Sequence, residues 1–193
     1  MAADLVRIEH LAFPMANREE LFSVAIIEAY ARVFPEGYFV ARIDGAPVGQ
    51  GAGIYLDFDF DHPQHTIIEI TGENQCGNHD PDGDWYYGTD ISVHPDYRGL
   101  GVGRLLYEAR KDLVRRDGKR GIIAGASLPG YFDHKDELTV PDYVDRVVAG
   151  ELTDPTLTFQ MANGFRVRGM LENYLDDPAD DGWAALIVWE NDT

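Results

Sequence analysis

Cysteine is almost missing from this chain, and Cys76 stands alone. No disulfide can close within the sequence, and a metal clamp built on paired cysteines is excluded. Long apolar runs are missing too. None comes near the roughly 20 residues that a membrane-spanning helix needs, and Met1-Ala2-Ala3-Asp4 lacks the basic start and apolar core of an export signal. The expectation is a cytoplasmic protein with no membrane partner. Positive charge is scarce: lysine occurs only at Lys111, Lys119 and Lys135, and 16 basic residues face 34 acidic ones for a formal net charge of -18. So acidic a surface repels phosphate backbones and argues against a nucleic-acid partner. Self-repulsion keeps such a chain soluble, and both an ordinary acidic protein and one suited to high salt have this composition. No repeat, low-complexity tract or Pro/Ser-rich hinge interrupts the 193 residues, so one domain, 1–193, is expected.

The hydrophobic pattern predicts alternating elements. Leu5 to Ile8 reads as a short first strand, and Asn17 with Glu20 three residues later has the form of a capping box opening a helix that Pro35 and Gly37 stop. Tyr38 to Ile43 and Val48 to Phe58 flank Asp44-Gly45, a strong two-residue hairpin signal. An acidic, histidine-bearing stretch at about 57–84, broken by Pro63, Gly72, Gly77, Pro81 and Gly83, predicts an elaborated loop. Trp85 to Val93 reads as a strand, and Gly101 or Gly103 opens a helix that Asp117-Gly118 ends. Gly121 to Ala126 follows as a strand. A second extension, about 128–153, holds a helix capped by Thr139 and Asp142. A short helix at about 155–162 and strands at Phe165 to Met170 and Trp183 to Trp189 complete the order. The fold class is mixed α/β.

The chemistry is concentrated at Arg98-Gly99-Leu100-Gly101-Val102-Gly103, between a predicted strand and a predicted helix. Glycines there let successive backbone N–H groups converge on a phosphate at a helix N-terminus. The spacing is neither that of the dinucleotide fingerprint nor that of a P-loop, since no Lys-Ser/Thr follows. Eight of the 16 basic residues fall within the 23 residues from Arg98 to Arg120. They form either an ordinary solvated helix face or an anion-docking surface.

The segment Asp90-Ile91-Ser92-Val93-His94-Pro95-Asp96-Tyr97-Arg98-Gly99-Leu100-Gly101-Val102-Gly103 resembles the acyl-CoA motif of the GNAT acyltransferases. Asn163-Gly164-Phe165 resembles that family's second landmark, and Asp44-Gly45-x-x-Val48-Gly49 its hairpin. The similarity is nearest to acyltransferase domains that precede a carbon–nitrogen hydrolase domain in some bacterial proteins. It is carried by Glu69-Ile70-Thr71-Gly72, His79-Asp80-Pro81-x-Gly83-Asp84-Trp85, Leu106-Tyr107-Glu108-Ala109-Arg110 and Asp154-Pro155-Thr156-Leu157-Thr158-Phe159-Gln160.

The resemblance implies a central twisted mixed sheet flanked by helices, with a splay between the fourth and fifth strands, and acetyl-CoA or another acyl-CoA as co-substrate without a metal. It implies that the amides from Leu100 to Arg104, in the loop Arg98, Gly99, Leu100, Gly101, Val102, Gly103 and Arg104, hold the pyrophosphate. Ile91, Ser92 and Val93 would pair with the pantetheine arm, and the Val93 amide would face the oxyanion. Arg104, Lys111 or Arg115 would meet the 3′-phosphate. The acceptor that the resemblance implies is an amine of a small molecule or peptide.

An amine attacks a thioester only as the free base. Asp90 is the candidate base, because strand alternation puts it opposite Ile91 and Val93. Where the family has a tyrosine, this chain has Gln160, which cannot deliver a proton. Tyr131 is the first substitute as catalytic acid; Tyr143, Tyr174 and water are the others. A GNAT fold that binds acyl-CoA without turnover is the alternative function. His62, His65 and His79 lack a metal-ligand spacing, and Cys76 reads as an inert thiol. Trp183 and Trp189 read either as an edge strand of the core or as a homodimer contact.

Overall fold

The computed structural model describes residues 1–192. Its centre is one six-stranded sheet in the order β1-β2-β3-β4-β6-β5, with strands Phe39–Ile43 (β1), Ala46–Leu56 (β2), Trp85–Val93 (β3), Gly121–Ser127 (β4), Arg166–Leu171 (β5) and Ala184–Glu190 (β6). Every neighbouring pair is antiparallel except β3 and β4. Helices α1 (Ala2–Ala12), α2 (Val24–Val33) and α3 (Ile67–Thr71) contribute to the core on one face, where Leu5, Ile8, Phe22 and Tyr30 meet Ile54, Tyr87 and Leu186. On the other face, α4 (Val102–Arg116), α5 (Val140–Val148) and α6 (Leu157–Ala162) pack Tyr107, Val144 and Leu157 against Tyr86, Ile122 and Ile187. Asp44 and Gly45 turn the β1–β2 hairpin with φ of 50° and 83°, the left-handed pair a two-residue turn requires.

The first expected strand is a helix. Leu5, Ile8 and Glu9 are its buried residues, an i, i+3, i+4 stripe that a four-residue apolar window does not distinguish from a strand. With that strand gone, the parting in the sheet falls between the third and fourth strands rather than the fourth and fifth. Asn17 does not cap α2: its side chain accepts from the Glu19 amide at 3.1 Å and donates to Asp176 at 3.0 Å, heading a turn. Ser23 is the cap. A true capping box, Thr66 with Glu69, starts α3 inside the stretch that reads as a loop.

The second extension is tied to α6 by Asp154, which is fully buried. Its carboxylate accepts from the amides of Thr156 and Leu157 at 2.8 Å each, from Gly130 N at 2.9 Å and from the Tyr143 hydroxyl at 3.0 Å. One side chain thereby satisfies the start of α6 and fixes the turn Pro129–His134 beside it. Asp154→Ala strands these buried donors and is expected to lower stability by about 2–4 kcal/mol, read as a shifted urea midpoint. An unchanged midpoint would mean that the extension is held elsewhere.

Candidate active site

Strands β3 and β4 pair only at Trp85 with Gly121, Tyr86 with Ile122 and Tyr87 with Ile123. Beyond that point they part. A cavity of about 120 Å³ occupies the gap, lined on the α4 side by Tyr107, Arg110, Thr156 and Gln160 and on the α1 side by Glu9, Phe13 and Phe22. It therefore reaches both faces of the sheet.

A β-bulge sits at this gap. Ala52 opposes Asp90 while Gly53 opposes Gly88, leaving Thr89 as the extra residue. The extra residue reverses the alternation, so Asp90 leaves the face of Tyr86 and joins that of α1, while Ile91 packs towards α4. Arg110, 2% exposed on α4, secures the bulge by donating to the carbonyl oxygens of Ala52, at 2.9 Å, and of Asp90. A Cβ on Gly51 would lie 2.9 Å from its guanidinium, so glycine there makes the approach feasible. The His94 amide bonds the Val48 carbonyl at 2.9 Å, which sets the ladder phase. Ser92 then exchanges bonds with Gln50, and the amides of Ile91 and Val93 turn away from β2 towards the gap.

Asp90 is buried, and loss of solvent pushes its carboxyl up to about 7 despite Arg110 and hydrogen bonds from Ser92 and Gln50, which pull it down. Glu9, which the strand reading of Leu5 to Ile8 overlooked, is buried on the same face and is raised well above the ordinary range by burial and then by the charge of Asp90. Its signal was its place one helical step beyond Leu5 and Ile8.

The glycine loop has the expected form. Gly99 and Gly101 have φ of 75° and 85°, and Gly101 is the N-cap of α4 without any side-chain cap. The first intrahelical bond runs from Leu105 N to Gly101 O at 3.0 Å, which leaves the amides of Val102, Gly103 and Arg104 directed out of the helix end. Val102 packs on Val48 and Leu106, anchoring the loop to the sheet. Arg98 bonds the Val93 carbonyl at 3.3 Å, and Leu100 and Arg104 are exposed. Lys111 is not free for a 3′-phosphate: it is buried, donates to Asn163 O at 2.8 Å and lies over the Trp189 ring. Arg115 pairs with Asp112 at 3.0 Å and stacks on the same ring.

Tyr131 does not line the cavity in the gap; its hydroxyl donates to the Leu138 carbonyl at 2.9 Å within the second extension. Tyr143 is likewise occupied by Asp154. Tyr174 does line the cavity, and its hydroxyl is hydrogen-bonded at 3.0 Å to Tyr87, which in turn meets His65 Nε2 at 2.7 Å. The tyrosine that residue-by-residue reading missed is Tyr107. It lines the cavity, accepts from Gln160 Nε2 at 3.0 Å, and burial raises its hydroxyl above the ordinary range. The side-chain carbonyl of Gln160 is buried with no partner among the described residues.

The histidines disperse. His62 pairs with Asp59 at 2.9 Å, His65 joins Tyr87, and His79 accepts from the Tyr55 amide at 3.1 Å. Among the described residues no group of three metal-ligating side chains comes together, and no helix is long and apolar enough to cross a membrane. Burial pushes the Cys76 thiol up to about 12.

A strand-to-helix glycine loop, an uncapped helix start and a parted sheet are the geometry on which comparison with known proteins bears. The model of the acetyltransferase (GNAT) family matches residues 2–129, and the chain belongs to that family. It is 41% identical over 159 residues to the probable hydrolase YhcX of Bacillus subtilis (strain 168), a match covering 82% of this chain. The same match spans only 31% of YhcX, so the chain corresponds to about a third of that relative's length. It is 30% identical to the uncharacterized N-acetyltransferase YkwB of the same organism, over 97% of this chain and 83% of that one. Among solved structures, the GphF GNAT-like decarboxylase in complex with isobutyryl-CoA superposes with a TM-score of 0.80 at 23% identity, over 98% of this chain and 96% of that one. The loading GNATL domain of CurA from Lyngbya majuscula follows at 0.78 and 19%, over 98% and 92%. These two likenesses speak to the fold.

Asp90 links the site to stability. A carboxyl raised from about 3.9 to about 7 holds a proton in the native state that the unfolded chain has released. The stability this proton contributes is complete below about pH 4 and is lost as pH rises through about 7. Between about pH 5 and about pH 8, wild type should therefore lose about 2 kcal/mol or more relative to Asp90→Asn in urea denaturation. Equal losses in both would contradict a buried, proton-holding Asp90.

Proposed function

We propose that this chain is an acyl-CoA-dependent N-acyltransferase, with acetyl-CoA as the donor and an amine of a small molecule or peptide as the acceptor. The observation that carries the reading is the continuity of three features: the glycine loop at the bare end of α4, the outward amides of Ile91 and Val93, and the cavity through the parted sheet. The pyrophosphate lies on the amides from Leu100 to Arg104, where the helix end supplies partial positive charge. Arg104 remains available for a further phosphate. The pantetheine arm runs along Ile91, Ser92 and Val93 as a partial strand, bringing the thioester into the gap.

Transfer then proceeds directly. Asp90 takes a proton from the acceptor nitrogen, which attacks the thioester carbonyl; the tetrahedral oxyanion faces the Val93 amide. Collapse breaks the carbon–sulfur bond, and the departing sulfur needs a proton. Tyr131, turned to Leu138, gives way to Tyr107 as the donor. Gln160 donates to the Tyr107 oxygen and so leaves the phenolic proton free for the sulfur. The second reading, a GNAT fold that binds acyl-CoA without turnover, draws on Gln160 alone.

Calorimetry with acetyl-CoA should show binding, and Gly101→Val, which forces a branched side chain into φ of 85°, should weaken it at least about tenfold. No binding by wild type would overturn both readings. Thiol release with an amine panel separates them: turnover that falls about 100-fold or more in Asp90→Asn and in Tyr107→Phe, but less than about twofold in Tyr131→Phe, supports the enzyme. Binding without turnover on any amine supports the module.

A further inference from the structure

The cavity contains two further buried carboxylates that the acyl-transfer scheme leaves idle, Glu9 and Asp180, of which Asp180 is taken up by the Leu128 amide at 2.9 Å. Glu9 comes from α1 and is 2% exposed; Asp90 comes from β3 and is 8% exposed; both line the α1 side of the gap. Between them lies Gln50, with no exposed surface. Its amide nitrogen donates to Glu9 Oε2 at 3.0 Å, its carbonyl accepts from the Tyr38 hydroxyl at 2.5 Å, and the residue stands opposite Ser92, whose hydroxyl donates to Asp90 Oδ2 at 3.4 Å. The other Glu9 oxygen accepts from the Phe22 amide at 2.8 Å. Both carboxylates are thus held in place from three elements, a costly arrangement for groups with no structural ion pair.

We propose that Glu9 and Asp90, bridged by the positioning residue Gln50, act as one carboxylate pair that shares a proton and receives the ammonium group of a primary-amine acceptor. The proposal rests on the acyl-transfer reading above and assigns its acceptor side. Charge balance supports it. The other groups facing the pair are Tyr30 from α2, Tyr38 ahead of β1, Ser92 from β3, and Tyr107 with Arg110 from α4. Arg110 is the one cation among them, and it donates to the backbone carbonyls of Ala52 and Asp90 rather than to either carboxylate. Two charged carboxylates would leave an excess of one buried negative charge, whereas one shared proton leaves a single charge opposite that of Arg110.

A second, independent sign of a ligand is Gln160, 3% exposed, which lines the same cavity from the α4 side and whose side-chain carbonyl has no partner among the described residues. Such an acceptor calls for an N–H from something bound. Phe13, Leu21 and Phe22 also line the cavity, beside the polar Glu20 and Asn74, a mixture that suits an amine carried on a short body with some apolar surface.

In the reaction, the bound ammonium gives one proton to the pair, and the freed lone pair forms the carbon–nitrogen bond. As the carbon–sulfur bond breaks, the sulfur takes the Tyr107 phenolic proton, and the nitrogen's second surplus proton restores the phenol. The pair then releases its proton to water, so that an ammonium and a thioester yield an amide, a thiol and one proton.

Two measurements on the full chain test this. Carboxyl-carbon NMR titration should show Glu9 and Asp90 each responding to both steps of a coupled titration, with the Glu9 midpoint falling by about one unit or more in Asp90→Asn. Independent titration in wild type, or an unmoved Glu9, overturns the pair whether or not the chain turns over. Calorimetry on protein saturated with acetyl-CoA, using benzylamine and benzyl alcohol as probes, should show binding of the amine alone. Glu9→Gln should weaken it at least about tenfold with acetyl-CoA affinity unchanged. Acetyl-CoA binding without amine binding overturns the ammonium role and leaves the donor reading intact; failure of acetyl-CoA itself to bind overturns the donor reading instead.

Discussion

The guanidinium of Arg110 reaches from α4 into the one place where the sheet changes its pairing. It donates to the carbonyls of Ala52 and Asp90, the strand pair that borders the bulge at Thr89. Glycines at 51 and 88 leave it room, and the rings of Tyr86 and Tyr107 lie 5.7 and 5.8 Å from it. A buried cation on strand carbonyls is expensive to desolvate, and its Nε has no partner among the described residues. What it secures is the bulge, and the bulge turns Asp90 to the α1 face. The same kink carries β3 away from β4, so the amides beyond Tyr87 face a gap instead of a neighbouring strand.

From that parting the two halves of the site acquire different characters. On the α4 side are outward N–H groups, a bare helix end and a phenol held protonated by burial, all suited to anionic oxygen and sulfur. On the α1 side are carboxylates and apolar rings, suited to a cation. The acidic surface, with its formal charge of -18, draws positively charged molecules towards the chain at long range, while the loop at Arg98 to Gly103 offers the phosphate contact against that field through backbone dipoles and one strongly basic segment.

Much of this was legible in the sequence because it is local. Gly99, Gly101 and Gly103 at a strand-to-helix junction describe their own geometry, as do Asp44-Gly45 in the hairpin and Thr139 at the start of α5. The alternation that set Asp90 against Ile91 and Val93 holds because all three lie on the same side of the bulge. What stayed hidden depends on distant partners. Leu5 to Ile8 gave too short an apolar window to separate helix from strand, and with the helix went Glu9. Asn17 and Glu20 match a capping box, yet Asp176, far along the chain, takes the asparagine. Tyr131 and Tyr107 are indistinguishable by residue type; only packing turns one to Leu138 and the other to Gln160.

The central claim is that the parted sheet, opened by the bulge, receives an acyl thioester between its two faces. A crystal structure of the chain with acetyl-CoA bound tests it most directly. The account predicts pyrophosphate oxygens on the amides from Leu100 to Arg104, the thioester carbonyl in hydrogen-bond reach of the Val93 amide, and the sulfur beside Tyr107. Acetyl-CoA bound outside the gap between β3 and β4, or lying in it with the thioester remote from Val93 and Tyr107, would contradict the account.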